Sequence, residues 1–415
     1  MPGERRIALP AFSFFSRDGG LSCSLPPADL GNRVTFWPGN SFPAERIFGN
    51  GATMAGKRSP LAHWHESHGA RLLESHGIEV PYRFSTSEAE YESLRTAAGL
   101  IDRCHDSRFR LTGEAAGEVL DFLTTSVLSG LEPNQTRQSY MCNERGGIID
   151  SVAIHRTDKF YLLHGTGSMS ERLLGWMQSQ TADKAIEIAN NTKTQGTIEV
   201  RGPLAHGILE SALLDGSLPH RPGESTIVQI GQARCLIFNA PFAGIEGYQI
   251  NMGTPFLEDV WDRLYSMGAQ LGLVPVGQQA VDILTLEAGI PQVGTEIDED
   301  TTPIELGEAE DIAFHKRRFV GRRALLHSTC GEFSRRLVNI RFEDGRMPRG
   351  GDRVMYDGMP VGRITRAARS PRLGMGIALA FVDALKAARG TQLQIAAQEH
   401  TLVGEVIDSA IRESR

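Results

Sequence analysis

Long apolar runs are missing from this chain of 415 residues. It has no stretch of about eighteen consecutive apolar side chains, the length that a helix needs to span a bilayer. An excess of positive charge is missing as well, and the formal net charge is -7 at pH 7. Nucleic-acid-binding domains present a basic face to the phosphate backbone, so this charge argues against such a partner. We therefore expect neither a membrane span nor a nucleic-acid interface.

Cysteine is scarce, with five residues scattered along the chain and no C-x-x-C pair. This pattern is not that of a disulfide framework or a zinc site, and it is compatible with a reducing compartment. A lone cysteine is most often a small buried apolar side chain. A secretory signal is not recognisable either, because Pro10 interrupts the short apolar run 7–9. The sequence therefore predicts a cytoplasmic protein without a metal site.

Periodicity is absent from residues 1 to about 58, which carry Pro, Gly and Ser throughout. Stretches such as Pro38-Gly39-Asn40-Ser41 favour turns and irregular backbone. From Ser59 the pattern becomes regular. We therefore predict that residues 1–58 are an N-terminal extension outside the core, followed by structured regions at 59–325 and 332–415.

The region 59–325 mixes helical and strand-like patterns, with no G-x-G-x-x-G after a strand to indicate a dinucleotide fold. Ser87 and Glu90 have capping-box spacing, which predicts a helix start, and Gly99 is placed to close that helix. Strands are predicted at 108–111, 148–154, 160–163 and 197–200, and helices at 114–124, 203–213, 256–271 and 277–289. This irregular order of strands and helices indicates the α+β class.

From about residue 333 the strands become short and closely spaced, as at 337–340, 354–356, 361–364 and 393–395. Between two of them Asp357-Gly358 predicts a tight hairpin turn, because both residues tolerate a positive φ. Strands of this length and spacing favour a small β-barrel of roughly eighty residues.

Two groups of side chains allow both a structural and a functional interpretation. The histidines His63, His65, His68 and His76 suggest metal ligands, but His63 and His65 cannot share a helical face, so solvated histidines are favoured. Two basic runs consist of Lys316, Arg317, Arg318, Arg322 and Arg323, and of Arg363, Arg366, Arg369 and Arg372. They are either surface charge or binders of carboxylates on a ligand or an acidic partner.

Six short motifs follow one another in a fixed order along the chain. They are Ser59-Pro60-Leu61 with Gly69-Ala70, Leu94-Arg95 through Ile101-Asp102, Met141-Cys142-Asn143 through Ile148-Ile149-Asp150, Asp282-Ile283-Leu284-Thr285-Leu286-Glu287-Ala288-Gly289, Phe319-Val320-Gly321-Arg322 and Ser370-Pro371-Arg372-Leu373-Gly374. In this order they resemble the glycine cleavage T-protein superfamily of aminomethyltransferases.

The resemblance implies both a fold and a reaction. The fold is a three-part ring around a folate channel, with a C-terminal β-barrel. The reaction takes an aminomethyl group from the lipoyl arm of a carrier protein and passes the carbon to tetrahydrofolate, which yields methylene-tetrahydrofolate and ammonia. Related enzymes use a small-molecule one-carbon donor instead, so transfer of an aminomethyl or a methyl group is expected.

The resemblance also implies the site residues. Asp150 matches the family's catalytic aspartate, which orients the pterin N5 and balances its charge or takes its proton. Gly146 and Gly147 precede it and allow a close backbone approach. The implied folate-binding residues are Tyr140, Met141, Asn143, Tyr248 and Gln249.

Three positions depart from the family pattern. Gln249 stands where the family has a glutamate that holds the pterin amino edge, so one carbonyl acceptor remains while the charge and the second oxygen are lost. Ile245 replaces an earlier glutamate, and Thr285 replaces an arginine. We therefore expect weaker tetrahydrofolate binding than in the family, and tighter binding once Glu and Arg are restored at 249 and 285.

Two other functions stay open. Folate-binding proteins that assist iron–sulfur cluster assembly share the fold. The loop that begins at Gly289-Ile290-Pro291 resembles the corresponding loop of that family. Arg318, however, stands where that family carries its reactive cysteine. A folate-fold protein without catalysis is the other alternative.

Overall fold

The computed structural model describes residues 57–75, 77–330, 334–343, 346–397 and 400–408. Most of the predicted N-terminal extension, together with Cys23 and His76, lies outside these residues. Lys57 and Arg58 form a short strand that pairs in parallel with Ile78 and Glu79. The described part of the chain therefore begins two residues before the predicted boundary.

The strands are β1 (Lys57–Arg58), β2 (Arg71–Ser75), β3 (Ile78–Arg83), β4 (Ala98–Asp102), β5 (Ser107–Thr112), β6 (Thr136–Cys142), β7 (Ile148–Arg156), β8 (Tyr161–Gly165), β9 (Glu187–Asn190), β10 (Gln195–Arg201), β11 (Leu213–Asp215), β12 (Ser225–Ile230), β13 (Ala233–Asn239), β14 (Gly247–Gly253), β15 (Leu273–Val276), β16 (Arg335–Phe342), β17 (Arg353–Tyr356), β18 (Met359–Ser370), β19 (Met375–Asp383), β20 (Gln392–Ala397) and β21 (His400–Ile407).

The helices are α1 (Ala62–Ser67), α2 (Ser87–Thr96), α3 (Ala116–Leu123), α4 (Ser170–Gln180), α5 (Ala205–Ala212), α6 (Leu257–Gly268), α7 (Gln278–Ala288) and α8 (Arg322–Cys330). Within the described residues, none of the helices combines the length and the apolar content needed to cross a membrane.

A seven-stranded sheet has the order β11-β12-β13-β14-β10-β4-β15. Helices α1, α5 and α6 bury one of its faces, with Trp64, Leu209 and Trp261 in the shared core. A five-stranded sheet has the order β6-β7-β8-β5-β9. Helices α3 and α4 cover one face of it, and Leu120 and Leu173 lie in that core. The two sheets with their helices form two of the three parts of the fold.

The third part is a closed barrel with the strand order β16-β19-β18-β17-β20-β21. Its interior holds residues such as Ile340 and Ile395, both fully buried. Asp357 and Gly358 connect β17 to β18 with φ of 47° and 77°, so the predicted hairpin turn is confirmed. The α+β class and the C-terminal barrel are both confirmed.

The capping box predicted for α2 is wrong in its details. The cap is Thr86, one residue before Ser87, and its side chain accepts a hydrogen bond from Ala89 N at 3.2 Å. The Glu90 carboxylate accepts from two backbone amides ahead of the helix and from Gly277 N at 2.8 Å. Glu90 therefore ties the start of α2 to the start of α7, which a local sequence pattern does not reveal.

Gly99 does not close α2, because the helix ends at Ala97 and Gly99 lies inside β4. A Cβ added at Gly99 would come 2.5 Å from Leu94 Cδ2, so a glycine is needed for close packing of helix on strand. Gly289 does end α7 in the left-handed conformation, with φ of 70°, as expected.

Deleting residues 1–56 should change the melting temperature by less than about 2 °C, because a segment without apolar periodicity adds little to a core. Deleting residues 1–58 should cost slightly more, since Arg58 makes ion pairs with Glu66 and Glu79, all partly exposed. Differential scanning calorimetry of the two truncations and the full chain measures this. A cooperative loss of stability in the shorter deletion would contradict the prediction.

Candidate functional site

Strand alternation divides the residues of β10 and β14 between two faces of the seven-stranded sheet. Tyr248 belongs to the apolar core under α5 and α6. Glu199 pairs with Gln249, and Thr197 pairs with Asn251, one residue out of phase with Tyr248. These four polar side chains therefore lie on the face opposite the helices.

The five-stranded sheet directs two histidines toward this polar face. Phe238, the neighbour of Gln249 on β13, packs against His155 with ring centroids 3.8 Å apart. The rings of His155 and His164 lie 4.8 Å apart. Burial lowers the pKa of His155, and burial followed by the Arg108 charge lowers the pKa of His164 to about 4. Both histidines are therefore neutral at pH 7.

A chain of hydrogen bonds, in which each residue donates to the next, links the five-stranded and seven-stranded sheets. It starts at Arg108, whose guanidinium can only donate, and whose Nη1 donates to Thr197 Oγ1 at 3.0 Å. The Thr197 hydroxyl donates to Asn251 Oδ1, and Asn251 Nδ2 donates to His164 Nε2 at 3.0 Å. The ring proton of neutral His164 is then on Nδ1, which donates to Gln249 Oε1 at 3.2 Å. The polarity of the chain is thus set by Arg108.

Glu199 and Arg201 form an ion pair beside this chain, with Arg201 Nε 2.7 Å from Glu199 Oε2. Arg201 is held by a second hydrogen bond to Ala240 O at 2.7 Å, and its guanidinium lies over the Phe242 ring. Burial opposes ionisation of Glu199, but Arg201 together with Arg103 and His105 outweighs it and holds the pKa of this carboxyl below its ordinary value. Glu199 is therefore a fixed carboxylate.

The loop between β4 and β5 adds three ionisable groups. Arg103 Nε donates to Asp106 Oδ2 at 2.9 Å, and His105 Nε2 lies 3.5 Å from Asp106 Oδ1. The charge of Arg103 acts on Glu199, while the charge of Asp106 acts on Asp150. This loop therefore lies between the polar face of the seven-stranded sheet and the predicted catalytic carboxyl.

Asp150 lies in β7 and is fully buried. Its Oδ1 accepts from Ser151 N and its Oδ2 from Thr166 N, both at 2.9 Å. Burial raises the pKa of Asp150 to about 7, although these hydrogen bonds oppose the shift. A carboxyl that titrates near neutral pH suits proton transfer, and such shifts are concentrated at functional sites.

The three predicted folate contacts on and after β6 have different surroundings. Met141 is buried in the core of the five-stranded sheet. Tyr140 is partly buried and donates its hydroxyl to Glu308; burial, then Glu308, raises its pKa. Asn143 holds the turn that follows β6, because its Oδ1 accepts from Gly147 N at 3.1 Å.

Tyr248 and Gln249 are adjacent in sequence but lie on opposite faces of the sheet. The Tyr248 hydroxyl lies 2.8 Å from His206 Nδ1 on α5, on the side that the helices cover. Gln249 faces the five-stranded sheet and is partly exposed. The structure therefore places Gln249, and not Tyr248, beside Glu199 on the polar face.

Thr285, at the position where the resemblance predicts an arginine, contacts a guanidinium from another part of the chain. Arg366 on barrel strand β18 donates to Thr285 Oγ1 at 3.1 Å and to Ile290 O at 2.9 Å. Its Nε also pairs with the buried Glu296 at 2.9 Å. A guanidinium is therefore present beside α7, although it is supplied by the barrel.

The basic runs are not uniform surface charge. Lys316 is buried and donates to Thr124 O at 2.9 Å and to Ser126 O at 2.8 Å, so it fixes the segment after α7 to the five-stranded sheet. Arg366 is also internal, as described above. Arg318 is exposed and lies 3.3 Å from Glu118.

The histidines near the start of the regular pattern have different environments. His65 is fully buried with its Nε2 2.8 Å from Asp102 Oδ2, whereas His63 is exposed. His68 stacks on Trp64 with ring centroids 3.7 Å apart. Within the described part of the chain, no group of three or more His, Cys, Asp or Glu side chains is arranged to hold a metal ion. Cys104, Cys142 and Cys235 are free and buried.

Sequence reasoning missed Glu199, Arg201 and His164 as site residues. A signal was available, because two charged residues at strand spacing interrupt the apolar residues of β10. His164 likewise follows two apolar residues in β8. Charged or polar groups inside strands that are otherwise buried indicate an internal polar surface.

Comparison with known proteins adds the family. The model described as "GCVT N-terminal domain" matches residues 61–316, and that described as "Glycine cleavage T-protein C-terminal barrel domain" matches residues 335–410. An aminomethyltransferase of Alkaliphilus oremlandii (strain OhILAs) is 31% identical over 354 residues, which cover 85% of this chain and 96% of that protein. One from Thermoanaerobacter pseudethanolicus (strain ATCC 33223 / 39E) is 30% identical over 353 residues, covering 85% of this chain and 96% of that protein.

The same fold is found in a solved structure, that of glycine cleavage system aminomethyltransferase T from Bartonella henselae. The TM-score is 0.80 at 23% identity, and the match covers 86% of this chain and 99% of the other. Both sequence matches extend over nearly the full length of the relatives. The chain therefore belongs to the glycine cleavage T-protein family.

Proposed function

We propose that this protein is a tetrahydrofolate-dependent one-carbon transferase that moves an aminomethyl group to form methylene-tetrahydrofolate, or a methyl group to form methyl-tetrahydrofolate. The observation that carries the proposal is Asp150, a carboxyl in the family's catalytic segment whose pKa burial raises to about 7. The relatives at about 30% identity are aminomethyltransferases. The protein would act in the cytoplasm, with a lipoyl carrier protein or a small molecule as the one-carbon donor.

The donor set of the site fits a pterin. The polar face offers an ionised acceptor at Glu199 and an amide at Gln249, and a pterin has both donors and acceptors on one ring edge. When bound, tetrahydrofolate supplies the nucleophilic nitrogen that receives the carbon. In the aminomethyl case, the sulfur–carbon bond to the lipoyl arm and the carbon–nitrogen bond to the amino group break, and two nitrogen–carbon bonds to the folate form. The two protons lost from the folate nitrogens leave with the thiol and with ammonia.

Within this reaction Asp150 would orient the attacking nitrogen and accept its proton. The backbone amides of Ser151 and Thr166 hold the carboxylate in one orientation. Asp106 adds a negative charge nearby, which favours the protonated form of Asp150 once the proton has been accepted. Met141 and Tyr248 would then act from the packed cores on which the site rests, Asn143 through the turn that it holds, and Tyr140 through its contact with Glu308.

The alternative of an iron–sulfur assembly factor would need a thiol at the position of Arg318. A guanidinium cannot do thiol chemistry, and Arg318 is paired with Glu118 on the surface. A folate-fold protein without catalysis is distinguished by the same assay that tests the proposal.

The test is a titration with tetrahydrofolate under anaerobic conditions, followed by an assay of methylene-tetrahydrofolate formation. An aminomethyl-loaded lipoyl carrier is supplied as the donor first, and a methylated amine second, for which the product measured is methyl-tetrahydrofolate. We expect saturable binding together with turnover of one of these donors. Binding without turnover would support the non-catalytic alternative, and absence of binding would overturn the proposal.

A further inference from the structure

Gln249 and Glu199 are direct cross-strand neighbours on the polar face. Side chains in such positions have Cβ atoms about 5 Å apart, so one small ligand edge can reach both. In the part of the chain that the structure describes, neither Gln249 Nε2 nor Glu199 Oε1 has a hydrogen-bond partner. The two atoms are therefore available to a ligand between the sheets.

The Gln249 amide presents its nitrogen to the ligand because its carbonyl is already engaged. His164 Nδ1 donates to Gln249 Oε1, and the direction of this bond follows from Arg108 at the other end of the chain. Reversing the direction would require the buried Thr197 hydroxyl to accept from both Arg108 and Asn251, leaving its own proton without an acceptor. Gln249 is therefore a donor toward the ligand.

Glu199 presents the opposite chemistry. Its Oε2 accepts from Arg201, and the ionised carboxylate can only accept at Oε1. Arg201 is itself fixed by Ala240 and Phe242, so the carboxylate cannot easily turn away. A donor and an acceptor thus stand side by side on neighbouring strands.

We propose that Glu199 and Gln249 together read a lactam edge, in which Gln249 donates to a ring carbonyl and Glu199 accepts from the adjacent ring N–H. This inference rests on the proposed function, because in tetrahydrofolate the lactam is the pterin O4 with N3–H, beside the 2-amino group. The carboxylate that is missing at 249 is then supplied by Glu199, one strand away. Restoring glutamate at 249 would therefore remove a donor to O4 and weaken tetrahydrofolate binding, contrary to the expectation from sequence.

The discriminating ligand is 4-amino-4-deoxytetrahydrofolate, in which an amino donor replaces the O4 acceptor and N3 loses its hydrogen. The wild-type protein should bind it at least about tenfold more weakly than tetrahydrofolate, because the amino group would meet the Gln249 amide nitrogen. In Gln249→Glu the preference should fall at least about threefold from the wild-type value, since the new carboxylate accepts from the amino group while Glu199 still lacks its N3–H donor in the analogue. Glu199→Gln should weaken tetrahydrofolate binding by about tenfold or more. Isothermal titration calorimetry measures all of these constants.

His164→Leu is a second variant that leaves both ligand-facing residues unchanged. Without the imidazole, the Gln249 amide can rotate and present its carbonyl, so the preference for tetrahydrofolate over the 4-amino analogue should fall as in Gln249→Glu. Gln138→Glu makes the same chemical change at an exposed position of β6 and should leave both constants unchanged. Melting temperatures show whether each variant is folded.

The outcomes separate the two claims. If wild-type protein binds tetrahydrofolate but Gln249→Glu, His164→Leu and Glu199→Gln leave affinity and preference unchanged, the lactam pair is wrong and the proposed function stands. Tighter tetrahydrofolate binding by Gln249→Glu would also overturn the pair. If the wild-type protein binds neither ligand, both the proposed function and the pair fail.

Discussion

Replacing Asp150 with asparagine should lower turnover at least about a hundredfold, because a positioned acid or base typically contributes about 10²–10⁴-fold in rate. Asparagine preserves the shape of the side chain but removes the charge and the ability to accept a proton. Affinity for tetrahydrofolate should change much less, since in the proposed complex Glu199 and Gln249 hold the ring edge. The measurement is formation of methylene-tetrahydrofolate from the aminomethyl donor, or of methyl-tetrahydrofolate from the methyl donor, at saturating folate.

The pH dependence gives a second readout of the same variant. The pKa of Asp150 is raised to about 7, so the proton-accepting form is lost as the pH falls through about 7, and wild-type turnover should fall with it. The asparagine variant should lack this limb in its residual rate.

The stability of the protein should respond in the opposite direction to pH. The folded-state pKa lies above the unfolded value, so the folded form binds the proton more tightly and loses stability as pH rises from about 4 to about 7. Asparagine cannot titrate, so the stability of the variant relative to wild type should improve over that range. Urea unfolding at several pH values measures this difference.

Asp158→Asn is the matched control, since Asp158 is an exposed carboxylate in the turn after the same strand. It should leave turnover, the pH profile and stability unchanged. Near-wild-type turnover by Asp150→Asn would remove Asp150 from the mechanism. An equal loss in both variants would point to a general electrostatic effect.

Replacing Arg108 with methionine should lower the free energy of unfolding by about 3–5 kcal/mol, the largest stability change that we expect for one substitution. Arg108 is fully buried and donates to the Arg103 and Cys104 carbonyls, at 3.2 and 2.7 Å, and to Thr192 O at 3.1 Å. It also donates to Thr197 Oγ1 at 3.0 Å. Methionine fills much of the volume but removes the donor to the Cys104 and Thr192 carbonyls, whereas Arg103 O still accepts from Asp106 N and Thr197 still donates to Asn251. Each buried orphan costs about 1–3 kcal/mol.

Arg110→Met tests whether this loss is specific, because Arg110 lies on the same strand and is exposed. It should change the free energy of unfolding by less than about 0.5 kcal/mol. Urea denaturation monitored by circular dichroism measures both variants. A loss below about 1 kcal/mol in Arg108→Met would mean that the surrounding carbonyls find other donors.

The sequence alone was sufficient for the features that depend on local pattern and on ordered motifs. The α+β class, the C-terminal barrel and the Asp357-Gly358 turn are of this kind, because strand spacing and tolerance of positive φ are local properties. The motif around Asp150 could also be recognised in the sequence, since its residues are contiguous. The local pattern gave a wrong prediction at the start of α2, where the Glu90 carboxylate accepts a hydrogen bond from Gly277 N instead of capping its own helix.

Only the tertiary structure decided what the site offers to a ligand. Gln249 reads as an acceptor from its sequence position, but His164 lies 85 positions away in the chain and engages its carbonyl. Thr285 reads as a lost guanidinium, but Arg366 lies 81 positions away and supplies one. The physical reason is that the direction of a hydrogen bond depends on both partners, and here the partners are distant segments that only folding brings together.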